Sequence, residues 1–257
     1  VLWNEQGLGD MLQFVRYVKL LQESGAQVTL SVASPLVSLL RNHLIYPVKV
    51  VQREQCNLYA YDYHASLMSL PYLFQTTLET IPQFENYLNA SSEIVAKYQL
   101  PTDKFYRIGM VWGTAVTNLM YHKKSCSPDL FMRLLEISKI SLYSLQVGED
   151  AVKIESWLNN KRVHDVKHLL TDFQATCAVI EQMDLVITVD TAVAHLAGAM
   201  GKPVWVLLPF VADWRWLLDR NDTPWYPTMR LFRQQETGDW DGVFEEVKQA
   251  LFQRLLS

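Results

Sequence analysis

The strongest constraint on this chain is a rhythm. Short runs rich in β-branched residues alternate with stretches whose apolar positions recur at helical spacing, along most of the 257 residues. Such alternation builds mostly parallel sheets covered by helices, an α/β architecture. Residues 1–4 read as a strand that enters a Gly-rich turn. Residues 11–24 read as a helix with Leu12, Val15, Val18 and Leu21 at helical spacing, closed by Gly25 as its C-cap. Strands at 28–32, 48–51 and 61–64 and a helix at 35–42, with Pro35 near its first turn, continue the series. Residues 71–88 are aromatic- and Pro-rich without period and read as irregular. A helix at 91–100 leads to Pro101-Thr102-Asp103, the best linker signal in the middle of the chain. A second series follows, with strands at 107–112, 141–146, 185–189 and 203–208. Helices are expected between them at 128–138, 151–158, 173–183 and 192–200, and a last helix at 241–256. Two such series suggest two similar β/α sandwiches facing each other, with ligands beyond the carboxyl ends of the strands.

Composition removes several classes. Hydrophobic residues make up 49% of the chain, enough for a substantial core. The formal net charge is -4 and no basic stripe is present, which argues against nucleic acid as a partner. The longest apolar stretch, 204–212, is broken by Pro209 and is too short to span a bilayer as a helix. Cys56, Cys126 and Cys177 are too scattered for a disulfide framework or a zinc cluster and read as reduced thiols, which points to the cytoplasm. The chain opens on Val1 in the middle of a strand, so a longer protein with an upstream part is expected.

Two motifs carry chemistry. Glu5-Gln6-Gly7-Leu8-Gly9-Asp10 lies between a strand and a helix, where two glycines allow a sharp turn and a close backbone approach. Asp10 at the helix start either caps that helix or points into the cleft. The second motif runs from Val189 through Asp190, Thr191, Ala192 and His195 to Ala199. A strand ends there and a small-residue helix begins, so free amides and the positive end of the helix dipole meet and can receive a diphosphate. His195 lies one turn deeper than Thr191 on the same face. The bland alternatives are Asp190 as a cap and His195 as a satisfied core residue.

Together the two motifs resemble the family that includes bacterial heptosyltransferases, glycosyltransferase family 9, and in particular its branch attached to tetratricopeptide repeats. The similarity runs over residues 7–17, 109–112 and 144–146, and above all 184–234, with LVITVDTAVAHLAGAMGKPVWVLLPF, DWRWLLDR and PWYPTMRLFRQ. The resemblance implies a GT-B fold of two Rossmann-like domains. Residues 1–102 would form the acceptor-side domain, residues 103–240 the nucleotide-sugar domain, and 241–257 a helix crossing back to the first. It implies inverting, metal-independent transfer from a nucleotide-diphosphate sugar, with no cofactor beyond that donor. The acceptor would be a glycan, a lipid or a protein. Asp10 then falls where a carboxylate serves as general base. Asp190, Thr191, Ala192 and His195 fall on the diphosphate junction, and Gly113 and Thr114 on a loop that also approaches the phosphates. Gln146 is a candidate ribose or base contact, and Thr171 and Phe173 lie on a loop that would cover the base. Gly7, Gly9, Gln13 and Arg215 are candidates for acceptor or phosphate contacts.

The chain departs from the family at Tyr121-His122-Lys123-Lys124-Ser125, where the usual element is Asp-x-x-Arg-Ser. Lys124 replaces a planar fork by a point charge that still neutralises phosphate. That departure motivates an alternative, a catalytically degenerate GT-B scaffold or sugar-nucleotide-binding protein; a GT-B sugar-nucleotide epimerase is a third and weaker reading. Finally, Trp205, Trp214, Trp216, Trp225 and Tyr226 are interleaved with Arg215 and Arg220. They grip sugar and phosphate or pack one domain on the other, and Arg215 between two tryptophans needs a partner.

Overall fold

The computed structural model describes residues 1–102 and 104–256. Asp103, the last linker residue, and Ser257 lie outside the described residues. Two parallel sheets carry the chain. The first holds β1 (Leu2–Trp3), β2 (Thr29–Val32), β3 (Lys49–Gln52) and β4 (Ala65–Ser66) in the order β3-β2-β1-β4. The second holds β5 (Tyr106–Val111), β6 (Ile140–Ser144), β7 (Val163–Asp165), β8 (Leu185–Val189), β9 (Val204–Leu208) and β10 (Met229–Arg233) in the order β10-β9-β8-β5-β6-β7. Strand order in the second sheet reverses between β5 and β8, and in the first between β1 and β4. Those switch points open crevices at the carboxyl ends of β5, β8 and β1, where ligands bind in such sheets.

The fourth strand falls just after the expected 61–64. Asp62, Tyr63 and His64 are exposed, whereas Ser66 and Leu67 reach the core, so pairing begins where burial begins. Strands β7 and β10 were not anticipated. Only Val163 of β7 is buried, and β10 has arginines at its second and last positions, so neither shows a sustained apolar pattern.

The first helix is α1 (Leu8–Phe14), continued through a 3-10 turn at Val15–Tyr17 into α2 (Val18–Glu23). Gly25 follows with φ +89°, the left-handed geometry of a C-cap. Then come α3 (Ser34–His43), the single turn α4 (Leu70–Leu73), and α5 (Ser92–Lys97), whose N-cap Ser91 accepts from the Ile94 amide. The second half adds α6 (Tyr121–Lys124), α7 (Pro128–Met132), α8 (Phe173–Glu181), α9 (Ala192–Ala199) and α10 (Trp240–Leu256). Residues 149–157 form a 3-10 helix rather than an α-helix.

One apolar core runs through both halves, from Leu2 and Met11 to Trp225 and Leu231. Across it α1 packs on α9, and α3 and α5 pack on α8. Arg16 bolts the junction: its buried guanidinium donates to the Gln13 carbonyl at 2.8 Å and the Tyr87 hydroxyl at 3.1 Å, and lies 4.6 Å from the Tyr226 ring centre. The last helix corrects the expectation of a crossing back to the first half. Its buried face, Val243, Phe244, Val247 and Leu251, belongs to a second core with Phe131, Leu134 and Phe232. Arg133 to Asp241 and Lys248 to Glu136 fasten it there. An apolar stripe packs on whichever sheet face lies uncovered beside it, and here that face is its own sheet's.

Candidate active site

Strand β1 delivers the chain to Gly7, the N-cap of α1, which places Asp10 at the third position of the helix. One carboxylate oxygen of Asp10 accepts the Gly7 amide at 2.8 Å, and the other accepts Nη2 of Arg215 at 2.6 Å. Asp10 is therefore both a helix cap and a cleft residue. Gly9 serves a close approach to protein: a Cβ there would stand 2.7 Å from His195 Cδ2. The two sequence motifs touch at that point.

On the other wall, β8 ends at Val189 and α9 begins at Ala192, with Thr191 as its N-cap. No side chain caps this helix among the described residues. The Thr191 hydroxyl turns to Thr188 Oγ1 at 3.1 Å, and Asp190 accepts Lys124 Nζ at 2.6 Å instead of capping. The Ala194 amide donates to the Thr191 carbonyl at 3.1 Å, and the Ala192 and Val193 amides, with the helix's partial positive charge, are left for an anion. Lys124 and Asp190 are both largely buried as a pair. His195 is 2% exposed; its Nδ1 meets the Tyr226 hydroxyl at 2.9 Å and its ring stacks on Trp216 at 5.5 Å. Burial, with Arg215, Arg16 and Lys124 nearby, holds its pKa well below the ordinary 6.5, so the imidazole is neutral.

The carboxyl end of β5 supplies Gly113 and Thr114. Gln146 clamps that turn: its Oε1 accepts the Trp112 and Gly113 amides at 3.2 and 3.0 Å, and its Nε2 donates to the Gly113 and Val147 carbonyls at 3.2 and 3.1 Å. Both acceptor sites and both donor hydrogens are used within the protein, so Gln146 braces the cleft wall that it lines. Thr114 Oγ1, by contrast, is buried without a partner among the described residues.

Arg215 answers the demand for partners in full. Its Nε donates to Asp213 at 2.8 Å, Nη1 to Gln13 Oε1 at 2.8 Å and Nη2 to Asp10. Burial opposes its charge, but Asp10 and Asp213 outweigh that and raise its pKa. Gln13 is buried completely and orients Arg215 instead of meeting a ligand itself. Of the aromatic cluster, Trp216, Trp225 and Tyr226 are core: Trp225 meets Phe14 edge-on at 5.6 Å across the halves. Trp205 packs on Phe232, and only Trp214 is exposed, at 58%. Arg220 forms a two-pronged pair with Asp222 at the surface.

These groups surround a cleft of about 500 Å³. Gly7, Gly9 and Asp10 line it from the first half. Gly113, Thr114, Lys124, Gln146, Phe173, Asp190, Thr191, Ala192, His195 and Arg215 line it from the second. Thr171 is exposed and does not line it; its amide is bound to the Leu169 carbonyl, and Phe173 alone reaches in from that loop. Sequence reasoning missed Asp213, Asn118, Val147 and Gly148 on the same walls. The Asp213 signal was legible, since an Asp two residues before an Arg accepts the arginine's own amide here and caps its turn.

The chain is similar to known proteins in part of its sequence and in its fold. Residues 167–207 match the sequence profile of glycosyltransferase family 9 (heptosyltransferase), a stretch that spans α8, β8 and α9. The protein FlbA of Caulobacter vibrioides is 25% identical over 279 residues, covering 98% of this chain and 46% of FlbA, so the chain spans less than half of that relative's length. Among solved structures, the ADP-heptose LPS heptosyltransferase II of E. coli superposes with a TM-score of 0.69 at 14% identity over 98% of both chains. A family 9 glycosyltransferase from Veillonella parvula gives 0.69 at 14% identity, over 99% of this chain and 96% of that one. E. coli heptosyltransferase WaaC with ADP-2-deoxy-2-fluoro heptose gives 0.64 at 13% identity over 98% of both. The fold is thus that of a GT-B protein, with its cleft between two parallel sheets. Within that class the chain is heptosyltransferase-like, similar to glycosyltransferase family 9.

Proposed function

We propose that this chain transfers a sugar from a nucleotide-diphosphate donor to an acceptor hydroxyl by a single inverting displacement. The observation that carries the proposal is the uncapped first turn of α9, with Lys124 beside it, facing Asp10 in one cleft. The acceptor oxygen attacks the anomeric carbon and gives its proton to Asp10, while the bond to the diphosphate breaks and its electron pair leaves with the phosphate. Each Asp10 oxygen has one hydrogen-bond donor, which leaves a lone pair on each for that proton. Arg215 and the Gly7 amide fix the carboxylate's direction. Charge growing on the diphosphate is met by α9 and Lys124, so this reading calls for no metal. Gly113 and Thr114 border the phosphates, Phe173 the base. In this reading the nucleotide sugar is bound in a reducing, cytoplasmic compartment, in keeping with the three free thiols.

Asp10→Ala tests the assignment. Removing a general base lowers turnover about 10²–10⁴-fold and leaves donor affinity near that of the parent. Transfer at the parent rate would overturn the role given to Asp10.

One observation favours a second reading, a nucleotide-sugar-binding scaffold without turnover. Both functional charges, Asp10 and Lys124, are already paired inside the protein, with Arg215 and Asp190. A thermal-shift series with ADP-, UDP- and GDP-sugars, followed by an assay for transfer or slow donor hydrolysis, separates the two. Stabilisation without turnover decides for the scaffold.

A further inference from the structure

The segment joining β5 to α7 carries Lys124 into the cleft, and it is tied down from an unexpected side. Asp150, 5% exposed, accepts the Tyr121 hydroxyl at 2.5 Å on one oxygen and Lys153 Nζ at 2.6 Å on the other. Lys153 also donates to the Tyr121 oxygen at 3.0 Å, which closes a three-membered polar cluster. The Lys153 ammonium pKa is raised by the hydrogen bonds to Asp150 and Tyr121. The same Asp150 carboxylate presses on the cleft wall: a Cβ on Gly113 would stand 2.7 Å from its Oδ2. Elsewhere the segment is held at its base, where the Thr114 amide donates to Ser125 Oγ at 3.2 Å and the Cys126 amide to the Trp112 carbonyl at 2.9 Å.

Tyr121 and Lys124 sit at the two ends of the one-turn helix α6, three residues apart and therefore on neighbouring positions of its surface. Fixing the Tyr121 hydroxyl fixes the turn, and fixing the turn aims Lys124 Nζ at Asp190. We infer that Asp150 and Tyr121 are positioning residues for donor binding: Asp150, from a separate part of the chain, anchors Tyr121, and Tyr121 holds Lys124 against the diphosphate site. The inference rests on the proposed glycosyl-transfer reading of the cleft. Lys124 itself pairs with Asp190, and Asp150 acts on it only through the Tyr121 hydroxyl at the other end of α6.

The test is a double-mutant cycle on nucleotide affinity, measured by calorimetry with ADP, UDP and GDP on the parent, Tyr121→Phe, Lys124→Ala and the double variant. Tyr121 is half-buried, and Tyr121→Phe removes only its oxygen, so the fold is kept. A hydrogen bond to a charged group is large enough that Tyr121→Phe weakens the preferred nucleotide about tenfold. Because Tyr121 acts through Lys124, the double variant binds as Lys124→Ala does, with no further loss. Asp150→Asn repeats the Tyr121→Phe result. Tyr121→Phe binding like the parent, or losses that multiply in the double variant, would overturn the positioning role while leaving the cleft's assignment intact. A parent protein that takes up none of the three nucleotides overturns the cleft's assignment and this inference with it.

Discussion

Gly9 in α1 and His195 in α9 meet so closely that a Cβ on Gly9 would stand 2.7 Å from the imidazole Cδ2. The contact joins the two halves at the floor of the cleft. It explains why the second glycine of the N-terminal motif is needed: the approach it permits is of protein to protein, at a position that also lines the cleft.

Gly9→Ala therefore forces a methyl into a filled, stacked site, since His195 is held by Tyr226 and Trp216 and cannot swing aside. Overpacking of this kind costs about 1–3 kcal/mol. Denaturant unfolding should show a lower midpoint with an unchanged slope. A midpoint equal to the parent's would mean that the halves can part at this contact without cost.

Gln146→Ala removes three bonds to the β5 turn and one to the Val147 carbonyl, and leaves the Trp112 and Gly113 amides without their acceptor. Each buried group so orphaned costs roughly 1–3 kcal/mol. Urea titration should show a clear loss of stability, larger than that of Thr171→Ala, whose side chain is exposed. Equal stability of the two variants would return Gln146 to the role of a ligand contact.

His195 sets a pH dependence. Its folded-state pKa lies well below 6.5, so the unfolded chain binds the proton more readily. The stabilising contribution is fully present above the unfolded value and is lost as pH falls from about 6.5 towards the folded one, at up to ~1.4 kcal/mol per pH unit. Stability measured between about pH 5 and 7.5 should therefore rise more steeply with pH in the parent than in His195→Gln. Matching slopes would show that the imidazole takes up its proton freely in the folded protein.

Much of this arrangement could be read from residues alone, and the failures share a cause. Strands β8 and β9 announced themselves because every residue is buried and the runs are almost wholly apolar, and the buried stretch Ile108–Val111 of β5 and the fully buried β6 stood out despite Arg107, Ser141 and Ser144. Edge strands β7 and β10 did not, since one is three residues long and the other carries arginines among its apolar residues. For the site, local sequence placed Asp10, Asp190 and Thr191 at helix starts, and they line the cleft. What side chains do with their hydrogen bonds was not legible. Gln146 spends its amide on the backbone, Gln13 orients Arg215, and Asp190 turns to Lys124, because partners 33, 202 and 66 residues away decide those choices. The last helix has the apolar spacing of a packing element, but spacing does not name the surface it covers.

The central claim is that a diphosphate rests on the first turn of α9 with the sugar turned towards Asp10. A crystal soaked with a mixture of ADP-, UDP- and GDP-sugars tests it most directly. The account predicts a diphosphate against the Ala192 and Val193 amides and Lys124, the base beside Phe173, and the anomeric carbon facing the Asp10 carboxylate. A nucleotide seated on another part of the surface, or a sugar turned away from Asp10, would contradict it.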